Sequence, residues 1–181
     1  KIMKFIETRL NGAWIVEPEP FRDARGTFTR TFCSEAFESR GLEHRFVQHN
    51  HSYSMKKGTL RGLHFQREPH AETKLVSCIN GAVLDVIVDM RPGSSTRWQW
   101  LAVELSAVNR RLLYVPKGFA QGFITLADHC LVNYLMSTCY VPDAACGLRF
   151  DDPFLGIEWP ARPTTLSERD RAWPLLEMTE A

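Results

Sequence analysis

Residues Ala82 to Met90 read A-V-L-D-V-I-V-D-M, and this stretch decides the fold class. Apart from its two aspartates it is apolar and rich in β-branched residues, which is typical of a central strand covered on both faces. Asn80-Gly81, immediately before it, is a strong signal for a tight hairpin turn. We therefore predict a β-hairpin whose second strand runs through the middle of a sheet.

Short runs of similar character, punctuated by Gly, Pro and Asn, lie on both sides of this strand. They are Ala13 to Val16, Thr27 to Cys33, Arg45 to Ser54, Thr59 to Gln66, Thr73 to Ile79, Arg97 to Leu105, Arg111 to Val115, Gly118 to Leu126 and Cys130 to Tyr140. Many short strands at this spacing predict an all-β sandwich or barrel. We expect one short helix from Glu35 to Arg40, with Ser34 as N-cap and Gly41 as its end, and a second helix beginning at Ser167.

Length and composition restrict the class of protein. The 181 residues fit one domain, which we predict to span residues 3–181, because Met3 is the first methionine. The 22 basic and 21 acidic residues nearly cancel, so we expect no bulk attraction to nucleic acid or to an anionic membrane. Five cysteines without a C-x-x-C pair indicate reduced thiols, and no apolar run has the length of a membrane span. We expect a cytoplasmic protein without a secretion signal.

The hexapeptide R-G-L-H-F-Q, residues 61–66, carries the most chemistry in the chain. In a strand, His64 shares a face with Gly62, whereas Arg61 falls on the other face unless a bulge at Gly62 turns both inward. Two neighbouring segments add polar groups at alternate positions: Gln48, Asn50 and Ser52 in one, and Lys74 in the other. A lone strand histidine is more often structural than catalytic, but a buried ammonium beside it is costly without a role. We therefore predict a cavity lined by His64, Lys74 and amides.

Asp170 and Tyr134 each allow two interpretations. Asp170 lies in S-E-R-D, where an acidic residue three positions after a serine N-cap is a common helix start. It can equally be the carboxylate that orients His64. Tyr134 shares a predicted strand face with Val132 and Met136, so it is a core tyrosine unless it lies opposite His64, where it would be a catalytic acid.

The spacing of the histidines does not favour a metal site. His49 and His51 fall on the strand face opposite to Gln48 and Asn50, so they point away from the predicted cavity. Glutamines occupy the other positions at which a second or third imidazole would complete a site, Gln66 and Gln121. We therefore expect no metal and no other cofactor.

Segments along nearly the whole chain combine into a specific pattern. They are F-R-D-A-R-G (21–26), F-V-Q-H-N-H-S (46–52), T-L-R-G-L-H-F-Q (59–66), K-L-V (74–76), D-V-I-V-D-M-R (85–91), P-K-G-F-A-Q-G-F (116–123), Tyr134 with Tyr140, D-D-P-F-L-G-I-E-W-P (151–160) and L-S-E-R-D (166–170). Together they resemble the dTDP-4-dehydrorhamnose 3,5-epimerase family. The resemblance implies a metal-independent cupin with a jelly-roll β-sandwich and short peripheral helices.

Roles for the matching positions follow from this resemblance. It implies that His64, paired with Asp170, is the general base that removes a proton next to a 4-keto group. Lys74 would stabilise the enolate oxygen, and Tyr134 would return a proton to the opposite face. The positions implied to hold the nucleotide diphosphate and base are Arg25, Gln48, Asn50, Arg61, Tyr140 and Arg169, with Arg25 reaching in from a partner subunit.

Three positions depart from the family pattern. The family commonly has a histidine where this chain has Gln121, often a glutamate at the position of Arg30, and often another glutamate near Ala145. Gln121 can bind a sugar hydroxyl or the keto oxygen, but it cannot titrate, so the number of carbons epimerised is open. Arg30 and Ala145 leave the thymidine preference open.

The expected function is epimerisation of an NDP-4-keto-6-deoxyhexose, with dTDP-4-dehydro-6-deoxy-D-glucose, at carbons 3 and 5, as the main candidate. A single-carbon epimerase, or one that uses another nucleotide, is the nearer alternative. A catalytically silent cupin that binds nucleotide sugar is the alternative from another class. Sandwich edges and an outer sheet face need cover, so we expect a homodimer.

Overall fold

A computed structural model describes residues 3–177, so the last four residues of the predicted domain, 178–181, lie outside it. Within the described residues the chain forms antiparallel strands, two short α-helices and one 3-10 helix, Pro142–Ala144. None of these helices is long and apolar enough to cross a membrane. The elements are β1 (Met3–Glu7), β2 (Trp14–Pro18), β3 (Phe21–Asp23), β4 (Gly26–Phe28), α1 (Ser34–Glu38), β5 (Gln48–Ser54), β6 (Leu60–Gln66), β7 (Lys74–Asn80), β8 (Ala82–Asp89), β9 (Trp100–Ser106), β10 (Leu112–Val115), β11 (Phe119–Thr125), β12 (Cys130–Met136), β13 (Ala145–Gly147) and α2 (Glu168–Arg171).

Two sheets face each other across the core. One has six strands in the order β1-β2-β10-β7-β12-β5, and the other has five in the order β13-β6-β11-β8-β9. Strands β3 and β4 form a separate two-stranded hairpin. Residues from both sheets meet in one cluster of buried apolar side chains, which includes Val76 and Val132 from the first sheet and Val83, Ile87 and Phe123 from the second. This sandwich confirms the all-β, jelly-roll cupin prediction.

Strand β8 has the central position that its composition predicts. It pairs with β9 on one side and with β11 on the other. Val83 and Ile87 face the core between the sheets, while Val86 and Val88 pack in a second apolar cluster on the outer face. The turn before β8 needs Gly81, which has φ of 77°, and a Cβ there would lie 2.7 Å from the Cys130 sulfur.

Several boundaries differ from those predicted. Of the predicted strand Thr27 to Cys33, only Thr27 and Phe28 belong to a strand, the β4 strand of the exposed hairpin. Helix α1 starts at Ser34, with Cys33 as an N-cap that makes no side-chain hydrogen bond, so the predicted serine cap was wrong. The second helix does begin after Ser167, whose hydroxyl accepts a hydrogen bond from the Asp170 N–H. Strands β1, β3 and β13 were not predicted, because they are only three to five residues long and depend on pairing with a neighbour.

Candidate active site

An irregularity in β6 turns two side chains into the space between the sheets. His64 pairs in register with Gln121 of β11, but Arg61 pairs with Phe123, so the register shifts between them. Gly62 lies in this shift with φ of 111°, and a Cβ there would lie 2.7 Å from the Cα of Gly122. Arg61 and His64 consequently line the same cavity, which confirms the bulge expected at Gly62.

His64 is paired with a buried carboxylate from the C-terminal segment. Its Nε2 lies 2.5 Å from Oδ1 of Asp170, whose side chain is only 6% exposed. Asp170 also accepts hydrogen bonds from the Gly62 N–H and from the Trp173 indole N–H. Burial acts to raise the pKa of Asp170, but the hydrogen bonds and the His64 charge outweigh it and lower that pKa, so the carboxylate stays ionised. The His64 ring thus lines the cavity while one of its nitrogens is bound to a buried carboxylate.

Both interpretations of S-E-R-D hold in part. The Ser167 hydroxyl caps α2, as a helix start requires. The Asp170 carboxylate, however, bonds His64, Gly62 and Trp173 rather than closing a capping box. Its position therefore fits the orienting role.

Lys74 lies on the opposite sheet, in a largely buried position. Its Nζ is 3.3 Å from Oε1 of Glu72, and both side chains are less than 10% exposed. The same Nζ lies 3.5 Å from the His64 carbonyl oxygen, so the ammonium is held near the base. The Glu72 carboxylate therefore offsets part of the cost of burying the Lys74 charge.

Tyr134 also comes from the opposite sheet. It pairs with Asn50 of β5 and Val76 of β7, and its half-buried side chain lines the same cavity as His64. Burial raises the pKa of the Tyr134 phenol, against the opposing charge of Arg61, so the hydroxyl keeps its proton at neutral pH. His64 and Tyr134 thus project from opposite walls, and face-to-face sheets lie about 10 Å apart.

The cavity between the sheets measures about 490 Å³, within the range of small-molecule sites. A smaller cavity of about 190 Å³ adjoins it and shares His64, Lys74, Tyr134 and Arg169 with it. Predicted residues that line the larger cavity are His64, Lys74, Tyr134, Asp170, Arg61, Gln121 and Arg169.

Gln121 contacts an acid buried in the wall behind it. Its Nε2 lies 2.8 Å from Oδ2 of Asp85, which is fully buried on β8. Gln121 therefore presents one end of its amide to Asp85 and lines the cavity beside His64.

Four of the six residues implied to bind the nucleotide are linked by hydrogen bonds at one end of the site. Gln48 donates to Asn50 and accepts from the Tyr140 N–H, at 3.3 and 3.0 Å. Tyr140, in turn, lies 3.4 Å from the guanidinium of Arg169 and lines the smaller cavity. Neither Gln48 nor Asn50 lines the two cavities, so these amides lie beside the site and not within it.

Arg25 lies away from the cavity of its own chain. It sits at the tip of the β3–β4 hairpin with its side chain 90% exposed, and it pairs with Asp23 of the same turn at 2.6 Å. Phe21 and Phe28, directly opposite each other in this hairpin, are 58% and 65% exposed. The structure of the single chain thus does not bring Arg25 to the site.

Possible metal ligands are dispersed. Within residues 3–177 no group of three His, Cys, Asp or Glu side chains is arranged to hold a metal ion. His49 and His51 are exposed, with their rings 5.6 Å apart on the face of β5 turned away from Asn50. The expectation of a metal-free site remains a prediction.

Three residues at or beside the site were not predicted from the sequence. Glu72 lies two positions before Lys74 and therefore on the same strand face, which was a usable signal. Asp85 interrupts the apolar face formed by Val83 and Ile87, which also indicated a role. Trp173 packs against His64 with ring centroids 6.5 Å apart, and nothing in the local sequence indicated this contact.

Comparison with known proteins identifies the family. A family model described as dTDP-4-dehydrorhamnose 3,5-epimerase matches residues 7–178. The dTDP-4-dehydrorhamnose 3,5-epimerase of Methanothermobacter thermautotrophicus is 48% identical over 178 residues, covering 96% of this chain and 95% of that protein.

Two solved structures have the same fold. A crystal structure of the Legionella pneumophila dTDP-6-deoxy-D-glucose-3,5-epimerase in complex with dTDP-4-keto-L-rhamnose has a TM-score of 0.90 at 40% identity, covering 96% of this chain and 92% of that one. A 3'-monoepimerase from Streptomyces bikiniensis in complex with dTDP-quinovose has a TM-score of 0.86 at 35% identity, covering 93% and 85%. From its sequence and its fold, the chain belongs to the dTDP-4-dehydrorhamnose 3,5-epimerase family.

Proposed function

We propose that this protein epimerises dTDP-4-dehydro-6-deoxy-D-glucose at carbons 3 and 5 to give dTDP-4-dehydro-L-rhamnose. The observation that carries the proposal is the placement of His64 and Tyr134 on opposite walls of one cavity, with Lys74 beside them. Inversion of a carbon centre needs a base on one face of the ring and an acid on the other, or a ring flip between the transfers. Its relative from Legionella binds the keto sugar that this reaction would produce.

Each proton exchange begins at His64. The imidazole, held by Asp170, takes the proton from the carbon next to the 4-keto group, and the C–H electron pair moves into an enolate. A carbon acid of this kind reacts at a useful rate only if the new oxyanion meets fixed positive charge or hydrogen-bond donors. Lys74 supplies the ammonium that meets it, paired with Glu72 and close to the His64 backbone. Tyr134 then donates its hydroxyl proton to the same carbon from the opposite side.

The nucleotide would extend from the sugar toward Arg61, Arg169 and Tyr140. Arg61 and Arg169 line the main cavity and are exposed, so their guanidinium groups are accessible to a diphosphate. Tyr140 is 47% exposed beside Arg169 and offers a ring on which a base can stack. Gln48 and Asn50 would fix the orientation of Tyr140 through the bond between Gln48 and the Tyr140 N–H.

A homodimer would complete this site. The β3–β4 hairpin exposes Phe21 and Phe28 and carries Arg25 at its tip, away from its own cavity. Docked on a second copy, it would bury the aromatic pair and bring Arg25 to the partner's phosphates. All five cysteines are free, which supports a location in the reducing cytoplasm.

Single-carbon epimerisation is the second candidate, and Gln121 favours it. A neutral amide beside the sugar can bind an oxygen but cannot carry charge or move a proton as an imidazole does. A relative with the same fold is a 3'-monoepimerase.

NMR of the sugar nucleotide tests the proposed function. We expect purified protein, mixed with dTDP-4-dehydro-6-deoxy-D-glucose, to produce the signals of the rhamno isomer. Inversion at carbon 3 alone would select the single-carbon candidate. Tight binding with no change at either carbon would identify a catalytically silent binding protein.

A further inference from the structure

Asp85 is a buried acid to which the proposed proton transfers assign no role. It projects into the core from the middle of β8 and is fully buried. Its Oδ2 contacts the Gln121 amide nitrogen at 2.8 Å, but its Oδ1 has no hydrogen-bond partner within residues 3–177. An ionised carboxylate with an unpaired buried oxygen is costly, because no solvent replaces the missing bonds.

Lys74 is the cation that could compensate the charge of Asp85, but it is already paired with Glu72. Lys74 faces Asp85 from the opposite sheet, but its ammonium is paired with Glu72 at 3.3 Å. Burial raises the pKa of Asp85 to about 8, and the Gln121 hydrogen bond and the Lys74 charge only partly oppose this effect. At neutral pH the carboxyl is therefore mainly protonated.

Other titratable groups on the interior faces around Asp85 are few. Strand β9 pairs Val103 with Asp85 and turns apolar side chains inward. The titratable side chains that project inward from the other strands are Lys74 and Cys78 of β7, Cys130 and Tyr134 of β12, and Arg61 and His64 of β6. Burial raises the pKa of Cys78 to about 12, and burial also raises that of Tyr134. Neither group loses its proton near pH 8.

A primary amide has nearly the same shape in its two orientations, so a neighbouring donor or acceptor selects which end faces it. An ionised Asp85 accepts from the Gln121 nitrogen, which is the orientation of the amide in this structure, and leaves the amide oxygen toward the cavity. A protonated Asp85 can donate to the amide oxygen and leave the nitrogen toward the cavity. Only the second arrangement offers an N–H donor to an enolate.

We propose that Asp85 is a positioning residue that works as a neutral acid: it donates to Oε1 of Gln121 and so directs the Gln121 N–H groups at the keto oxygen of the bound sugar. This inference rests on the proposed epimerase function. It assigns to Asp85 and Gln121 together the hydrogen-bond donor that complements Lys74 at the developing enolate. When Asp85 ionises, the amide turns its oxygen toward the enolate and the rate falls.

The test compares the pH dependence of proton exchange in the wild type and in Asp85→Asn. An asparagine cannot ionise at any pH, and it keeps an N–H that can donate to the Gln121 oxygen, so it removes the ionised state of position 85. For a group with a pKa near 8, the neutral fraction falls about tenfold between about pH 7 and pH 9, and the wild-type rate should fall with it. In Asp85→Asn this alkaline loss should be absent or reduced severalfold.

Two controls separate this effect from general ones. Glu104→Gln makes the same carboxyl-to-amide change at an exposed position of β9, and it should keep the wild-type profile. Carbon-13 NMR of the Asp85 carboxyl in the wild type reads its titration without any substrate, and we expect a midpoint near pH 8.

Parallel alkaline loss of activity in the wild type and Asp85→Asn would overturn the inference. So would an Asp85 carboxyl that titrates in the ordinary acidic range. The wild type could instead exchange no proton at any pH while its Asp85 carboxyl titrates with a midpoint near pH 8. That result would refute the proposed function and leave Asp85 as a neutral buried acid.

Discussion

His64 Nε2 and Asp170 Oδ1 lie 2.5 Å apart although the two residues are 106 positions apart in the sequence. Asp170 reaches His64 because the C-terminal segment returns across the five-stranded sheet, where Thr165 bridges Thr59 and α2 contacts β6. The carboxylate is ionised and buried, and it fixes one ring nitrogen of His64. His64 also lines the cavity, so this pairing fits the proposed roles of a base and its orienting acid.

Replacement of the base is the first prediction. His64→Asn should reduce solvent proton exchange by about 10²–10⁴-fold, because loss of a positioned general base removes a contribution of this size. Nucleotide binding should change little, since Arg61, Arg169 and Tyr140 remain in place. The control is His51→Asn, which alters an exposed histidine on β5 and should exchange at the wild-type rate. A His64→Asn variant with full activity would remove His64 from the mechanism.

The second prediction concerns assembly. Light scattering should give the mass of a dimer, because the exposed Phe21 and Phe28 pair needs cover. Replacing both phenylalanines with serine should weaken the dimer and raise its dissociation constant by at least about tenfold. Val108→Ser removes an apolar side chain elsewhere that is even more exposed, at 91%, and should leave the dimer intact. A monomeric wild type at micromolar concentration would contradict the dimer.

Regiochemistry provides the third prediction. Gln121 cannot carry charge to an enolate or shuttle a proton, so one carbon should exchange its proton much faster than the other. Gln121→His should narrow this difference, because the imidazole would face Asp85 as a partner able to titrate. Site-resolved NMR in deuterated water reads both carbons at once. Equal exchange at both carbons in the wild type, unchanged in Gln121→His, would show that this position does not set the regiochemistry.

Stability should depend on pH through Asp85, which is the fourth prediction. Its pKa is about 8 in the folded protein, above the ordinary value of about 4 for an unfolded chain. Between these values the folded state holds a proton that the unfolded state lacks, so the stability contributed by neutral Asp85 is full below about pH 4 and is lost toward pH 8. The loss approaches about 1.4 kcal/mol per pH unit.

Denaturant unfolding of the wild type and Asp85→Asn across this range isolates the effect. The free energy of unfolding of the variant, relative to the wild type, should rise with pH from about 4 and level off above about 8. Glu104→Gln, at an exposed carboxyl, should show no such trend. A constant difference between Asp85→Asn and wild type would mean that Asp85 is ionised in the folded state.

The sequence predicted those features that depend on local pattern. Alternation and β-branched composition located β8 and β6, and the same alternation predicted that His64 and Lys74 line one cavity. The glycine at position 62 explained how Arg61 could join them. These features follow from the period of a strand and the freedom of a glycine backbone.

Long-range contacts could not be predicted in this way. The bond between Gln121 and Asp85 joins neighbouring strands whose pairing is set by the whole sheet, and Trp173 meets His64 only because the C-terminal segment folds back. Strand β13 has three residues and forms through its pairing with β6. The proposed approach of Arg25 to a site would require a second copy of the chain, and no local pattern can describe such a contact.

Solvent deuterium incorporation into dTDP-4-dehydro-6-deoxy-D-glucose tests the central claim most directly. With His64 as base and Tyr134 as acid on opposite faces, deuterium should appear at carbon 3 or carbon 5, or at both, together with inversion of that carbon. Uptake should be lost in His64→Asn while the nucleotide still binds. A sugar that binds to the wild type but stays free of deuterium after prolonged incubation would contradict the proposed chemistry.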